Sequence, residues 1–363
     1  MRFLEASLFL KVCIAFGLIT ALSQTPSKPD MTIDAAVRAE VIESLLKQLN
    51  ERYVFPDTAK AIEKVIRERA AKKEFDRTTS AAEFARTLTT LLREVSRDQH
   101  LSLNYSADAV PVRRARSEPT PEEREGTRNY GQAINFGFEK VERLPANIGY
   151  IRLNLFFPVE HGADTAVAAM TFVAHTGALI IDLRGNDGGS PDMNVLIASY
   201  LFPESVRLSD IYNRERNSTR QFWTLPFVPG KRYVGKGVYI LTSKRTFSSA
   251  EAFTYDLKNL KRVTVIGETT GGGANPRDVV RIHEHFWIGL PTSRAINPIT
   301  QTNWEGIGVT PDIEVPADQA LKTAHIMAVK NILAAAKDPD AIKNLSKLLE
   351  TLQTDLDDIK KKP

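Results

Sequence analysis

The sequence predicts an α/β protein, a parallel sheet covered by helices and preceded by a small helical bundle. Three observations carry this. Residues 178–183, Ala178-Leu179-Ile180-Ile181-Asp182-Leu183, form a continuous apolar run, as a parallel strand buried on both faces requires. From about residue 132 to 267, strand-like and helix-like stretches alternate, the order that right-handed crossovers build into a layered domain. Before about residue 96 the apolar residues recur only at helical spacing.

Residues 1–23 read as a secretory signal. Arg2 and Lys11 lie around a weakly basic start, Val12 to Leu22 is apolar apart from Gly17 and Thr20, and Ala21-Leu22-Ser23 offers small residues for cleavage. The run is short for a bilayer span. Cleavage is the expectation and a retained anchor the alternative, Glu5 being unusual in such a start. The only cysteine, Cys13, lies in this stretch, so the mature chain has no disulfide, thiol nucleophile or cysteine metal site. Export without disulfides fits a periplasmic or extracellular protein.

Residues 32–104 form the expected helical domain. Val41, Leu45 and Leu49, with Ile42 and Leu46, share one helix face, which Tyr53-Val54-Phe55-Pro56 ends. Residues 61–71 make a second helix. Ser80 with Glu83 caps a third, whose face carries Phe84, Leu88, Leu91, Leu92 and Val95. Residues 105–131, rich in charge and proline, are expected to be a linker. Residues 132–335 are the α/β domain, with strands at 148–153, 178–183, 238–241 and 263–267 and helices at 166–173, 193–201 and 250–257. Further strands fall at 286–288 and 313–315. Residues 317–360 look helical, and 336–363 should be a charged, exposed helical tail.

The 363 residues, 42% of them hydrophobic, suffice for one large or two ordinary domains. A net charge of +4 is small beside 48 basic and 44 acidic residues, and no basic block dominates, which excludes nucleic acid as a partner. No metal or organic cofactor is implied. His283 and His285 would share one strand face, but no third ligand stands near them.

The chemistry concentrates at Thr246-Phe247-Ser248-Ser249-Ala250-Glu251, between an apolar strand and a helical pattern. A serine on that turn has its hydroxyl exposed beside the free amides of a helix N-terminus, as a nucleophile needs. Ser248 with Glu251 also reads as a capping box. Asp182-Leu183-Arg184-Gly185-Asn186-Asp187-Gly188-Gly189 follows a buried strand, and its glycines let backbone amides approach a ligand. His100, in Asp98-Gln99-His100, is a candidate general base. Glu305, between Trp304 and Gly306-Ile307-Gly308, is an acid that could orient an imidazole.

In this order these segments, with Asn147 to Ile151 and Gly267-Glu268-Thr269-Thr270-Gly271-Gly272-Gly273, resemble the tail-specific or C-terminal processing peptidase superfamily. The likeness is greatest to its branch holding tricorn protease and the interphotoreceptor retinoid-binding protein modules. The resemblance implies a crotonase-like catalytic core behind the helical domain. It implies Ser248 as nucleophile, His100 as base and Glu305 as the acid behind the base. The amides of Ser249 and of Gly188 or Gly189 would form the oxyanion hole. Many relatives use a lysine base, and the matching position here is Gly273. Tricorn-like sites carry a serine beside the histidine, where this chain has Gln99, with Asp98 next to it. The third member is therefore Glu305 through Gln99, or has help from Asp98. The interval from Tyr105 to Ala146 is too short for the PDZ domain of the processing branch. Selection would fall to the cleft, with Tyr212, Phe222 and Trp223 as candidates for that or for core packing. The expected function is a secreted serine peptidase acting on unfolded peptides or protein tails, without stable membrane insertion after signal cleavage. A non-catalytic binding module for an apolar, retinoid- or lipid-like ligand is the alternative.

Overall fold

The computed structural model describes residues 30–111 and 119–361; the signal stretch and its Cys13 lie outside them. Three helices come first: α1 (Ala35–Arg52), α2 (Pro56–Ala71) and α3 (Ala81–Ser96). Asp34 and Ser80 cap α1 and α3 by accepting from Val37 and Glu83 amides. Then follow β1 (Ser102–Tyr105), α4 (Pro121–Ala133), β2 (Phe138–Leu144), β3 (Ile148–Leu153), α5 (Val159–Val173), β4 (Ala178–Asp182) and α6 (Pro191–Ser199). The second half holds β5 (Arg207–Asn213), β6 (Ser218–Trp223), β7 (Gly237–Thr242), α7 (Ser249–Asn259), β8 (Thr264–Gly267), β9 (Arg277–Arg281), β10 (Phe286–Pro291), β11 (Ser293–Ile296), β12 (Ile313–Glu314), α8 (Ala317–Ala335) and α9 (Pro339–Lys360).

The main sheet has the order β12-β8-β7-β4-β3-β2, parallel except for the antiparallel edge pair β2–β3. It is a mixed sheet, as the expected parallel core extended by one hairpin becomes. Strand alternation divides its side chains between two cores. Ile151, Leu153, Leu179, Ile181 and Ile240 pack under α5, α6 and α7. Ile148, Tyr150, Ile180, Tyr239 and Leu241 pack under α8 and α9. Both faces are covered, so β4 is apolar from Ala178 to Ile181, and all five of its residues are buried, Asp182 at its end being paired with Arg184 and Tyr150.

Three features differ from the sequence reading. The expected linker contains α4, whose Thr120 and Glu123 form a capping box with Pro121 in the first turn. The N-terminal helices do not close a core by themselves. Antiparallel β1–β10–β9 completes it, placing Ile282, Phe286, Ile288 and Leu290 among the helix side chains. The charged C-terminal segment is no free tail. α9 packs along α8, and Leu352 and Leu356 are only 4% and 7% exposed.

Leu352→Ala should therefore lower stability by about 2–4 kcal/mol in urea unfolding, whereas exposed Glu350→Ala on the same helix should change it by less than about 0.5 kcal/mol. Equal, negligible effects would mean that α9 does not dock.

Candidate active site

Ser248 precedes the first residue of α7 with φ 54° and ψ −120°. A positive φ at a residue bearing a Cβ is strained by about 1–3 kcal/mol and persists only when its surroundings dictate it. Here they do. Phe247 N–H donates to Asn186 O at 3.0 Å, Thr246 Oγ1 to Leu183 O at 2.8 Å, and Ser248 N–H to Glu251 Oε2 at 2.8 Å. Buried Glu251 also accepts from Thr270 Oγ1 and the amides of Gly272 and Gly273 at 2.5, 2.7 and 2.9 Å, clamping the glycine loop to the serine turn. Burial pushes its carboxyl up to about 7 against these four donors. Glu251 thus reaches back to the Ser248 amide as a capping acid does, while the Ser248 hydroxyl faces the cleft chemistry.

His100 lies between α3 and β1, where a left-handed Arg97 ends the helix. Its Nε2 stands 3.3 Å from Ser248 Oγ, across 148 residues of chain. The ring packs on Phe247, centroids 4.8 Å apart. Arg93 fixes the segment by donating to the carbonyls of Gln99 and Leu101. Desolvation, then the charges of Arg277 and Arg93, hold the imidazole down to about 3. The ring is therefore neutral at working pH, and Nε2 can accept the serine proton.

Two carboxylates stand behind it. Asp98 accepts from the His100 amide at 3.0 Å, from Tyr53 OH at 3.1 Å and from Asn275 Nδ2 at 3.0 Å. Glu305 accepts from the amides of Gln99, Ala274 and Asn275 at 3.0, 2.5 and 3.0 Å. Oxygens of both carboxylates and a ring nitrogen of His100 lie within 4.8 Å of one another. Burial raises the pKa of both acids, and for Glu305 the nearby Asp98 charge adds to the effect. Neither acid hydrogen-bonds the ring, and His100 Nδ1 has no partner among the described residues. Gln99 meets Glu305 only through its backbone amide, so its side chain is not the link that its position suggested. Hydrogen-bond donors approach every one of these carboxylate oxygens, an arrangement that does not suit a cation site.

Of the three amides expected to face an oxyanion, two are open. Gly188 packs so closely that a Cβ would lie 2.8 Å from Ser248 Cβ, but its amide is taken by Asn186 Oδ1 at 2.8 Å. The amides of Gly189 and Ser249 have no partner among the described residues. Gly189 is fixed beside the serine because Ser249 Oγ donates to its carbonyl at 2.7 Å. Tyr53, Asn275 and the clamp made by Glu251 were not singled out as site residues. Tyr53 and Asn275 carry no local signal, since each matters only through a distant carboxylate. The histidine pair does not share a strand face: His283 and His285 lie in the bend between β9 and β10. Of the aromatic candidates, Phe222 is buried in the core under α6 and also lines the cleft, while Trp223 is exposed.

The sequence model of peptidase family S41 matches residues 147–315, and that of the N-terminal domain of this family in eukaryotic IRBP matches residues 31–141. The chain belongs to peptidase family S41. It is 26% identical over 171 residues to carboxyl-terminal-processing peptidase 2, chloroplastic, of Arabidopsis thaliana, covering 47% of this chain and 32% of that one. It is 26% identical over 189 residues to a carboxyl-terminal-processing protease of Synechocystis, covering 51% and 42%. The chain thus spans less than half the length of these relatives. Among solved structures it resembles a putative peptidase from Parabacteroides merdae, with TM-score 0.57, 18% identity and coverage of 80% and 96%. A lipoprotein from Streptococcus agalactiae matches with TM-score 0.54, 16% identity and coverage of 85% and 100%. At such identities the structures show a shared fold.

Within this family the glycine at 273 has a steric reason. A Cβ there would lie 2.2 Å from Phe247 Cζ and 2.8 Å from His100 Cε1. A lysine at 273 and the imidazole of His100 exclude each other.

Gly273→Ala should displace His100, slow fluorophosphonate labelling of Ser248 by about 10²-fold and cost about 1–3 kcal/mol of stability. Gly126→Ala, whose Cβ meets nothing within 4 Å, should leave labelling unchanged. Equal labelling of the two variants would contradict the steric account. The depressed His100 pKa has its own signature. Between about 3 and the ordinary 6.5 the unfolded chain binds a proton that the folded chain refuses, so this group lowers stability as pH falls through that window. The raised carboxyls act in the opposite sense. His100→Gln should therefore remove up to about 1.4 kcal/mol per pH unit of that acid slope in urea unfolding between pH 4 and 6.5; an unchanged slope would contradict it.

Proposed function

We propose that this chain is an exported serine peptidase that cuts peptide bonds in unfolded peptides or protein tails, using Ser248 as nucleophile and His100 as general base. The observation that carries this reading is the 3.3 Å approach of His100 Nε2 to Ser248 Oγ on a strained turn beside two free amides. The hydroxyl attacks the scissile carbonyl as Nε2 takes its proton. The carbonyl oxygen becomes an oxyanion facing the Gly189 and Ser249 amides. The imidazolium then protonates the leaving amine, and water, deprotonated by the same ring, releases the acyl group. Glu305 and Asp98 act by fixing the His100 segment through the backbone amides they accept from. In this reading the core is crotonase-like over residues 132–335, and residues 32–104 form its helical N-terminal domain.

The substrate class rests on two supports. A cleft of about 4400 Å³ passes Ser248, and Tyr105, Trp287, Tyr130 and Phe157 are among the residues that line it. That is several times the roughly 300–1,000 Å³ of a small-molecule pocket, and it admits an extended chain. The curated relatives are named for carboxyl-terminal processing. Export rests on the signal pattern of residues 1–23; among the described residues no helix is long and apolar enough to cross a membrane.

Hydrolysis of denatured casein by the purified protein should disappear in Ser248→Ala, with the unfolding midpoint in urea unchanged within error. Cleavage that survives the substitution would overturn the assignment. Absence of cleavage by the wild type together with tight uptake of a lipid-like ligand would favour the binding-module alternative.

A further inference from the structure

We infer that Asn275 is the positioning residue of the catalytic histidine: its carboxamide oxygen accepts the His100 Nδ1–H hydrogen bond, directly or through one buried water, giving a Ser248–His100–Asn275 relay anchored on Asp98. This rests on the peptidase reading and assigns the relay member that the carboxylates leave open.

Four buried side-chain polar atoms lack a partner among the described residues, and His100 Nδ1 and Asn275 Oδ1 are two of them. They are complementary. With Nε2 free to accept the serine proton, Nδ1 carries the hydrogen, and a carboxamide oxygen can only accept. They are also neighbours through one group, since Asp98 Oδ1 accepts the His100 amide and Asp98 Oδ2 accepts Asn275 Nδ2, each at 3.0 Å. That second bond fixes which way the carboxamide faces. A flipped amide would set its oxygen against a carboxylate oxygen, so Oδ1 points away from Asp98. The residue cannot drift, because Asn275 is fully buried and its backbone amide is held by Glu305 at 3.0 Å.

Leaving two such atoms unpaired costs about 1–3 kcal/mol each, and a hydrogen bond between them, direct or through one water, removes both penalties. Neither carboxylate bonds the ring, and each is already engaged by three donors, Glu305 by amides and Asp98 by the His100 amide, Tyr53 and Asn275. A neutral amide oxygen also offers its hydrogen bond at any pH. No proton passes to Asn275. Nδ1 keeps its hydrogen while Nε2 gains and returns the serine proton, and the amide dipole stabilises the imidazolium between those steps.

The test uses the folded full chain with Asn275→Leu, which keeps the volume and removes both polar atoms, and Asn275→Asp, which keeps an acceptor for Nδ1 while sharing one proton with Asp98 in place of the amide bond. The readouts are the second-order rate of fluorophosphonate labelling at Ser248, its pH profile, and the tautomer of His100 by ¹⁵N NMR. The inference predicts the Nδ1–H tautomer in the wild type, its loss in Asn275→Leu with labelling slowed ~10²–10⁴-fold, and labelling within about tenfold of wild type in Asn275→Asp with a shifted pH profile. Should Asn275→Leu fail to fold, the wild-type tautomer and the Asn275→Asp rate still decide. An Nε2–H tautomer in the wild type, or wild-type labelling by folded Asn275→Leu, overturns the inference. If the wild type is not labelled at all, the peptidase reading fails, and the tautomer measurement still judges Asn275 separately.

Discussion

The contact between His100 Nε2 and Ser248 Oγ is the constraint that the rest of the molecule serves. Its two halves come from elements that share no local sequence. The imidazole is set by the entry into β1, and β1 is held between Thr89 of α3, which bonds the Leu103 amide and carbonyl, and the strand β10 from the second half. The hydroxyl is set by a strained turn that α7, the Asp182–Gly189 loop and the glycine loop jointly enforce. The helical layer therefore borrows strands from the later chain to close its core. If that layer were independent, the imidazole would be placed no better than a flexible linker allows.

A second constraint is space. The glycines at 188 and 273 are needed where backbone meets the serine turn and the imidazole, each at a distance no Cβ tolerates. Gly273 makes the choice of base a packing decision: once the ring lies on Phe247, no side chain can grow from 273. Around this the electrostatics are arranged to keep charge low. Burial lowers the basicity of His100 and favours protonation of Asp98, Glu305 and Glu251. In the proposed mechanism, charge appears chiefly as the oxyanion and imidazolium form.

How much the sequence reveals depends on whether the signal is local. The run 178–183 and its flanking alternation announce the central sheet because strand period and burial are written in consecutive residues. Ser248 is visible for the same reason, as a strand-to-helix turn. The capping box Thr120-x-x-Glu123 was equally local, and it marks α4 inside a stretch whose proline and charge content suggest a linker. The docking of α9 was obscured because its many charges outnumber the leucines that bury one face against α8. The acid side of the site was legible only as residue types. Which atom Glu305 holds, that Gln99 offers only backbone, and that Tyr53 and Asn275 converge on Asp98 all follow from loops meeting in three dimensions. No spacing encodes that.

The central claim is that one hydroxyl, one imidazole and two amides surround a single reacting carbonyl. It is tested most directly by the crystal structure of the protein after reaction with a fluorophosphonate. The account predicts phosphorus bonded to Ser248 Oγ, the phosphoryl oxygen within hydrogen-bond reach of the Gly189 and Ser249 amides, and His100 Nε2 beside the adduct. An adduct on another residue, or a phosphoryl oxygen turned away from those amides with the imidazole out of reach, would contradict it.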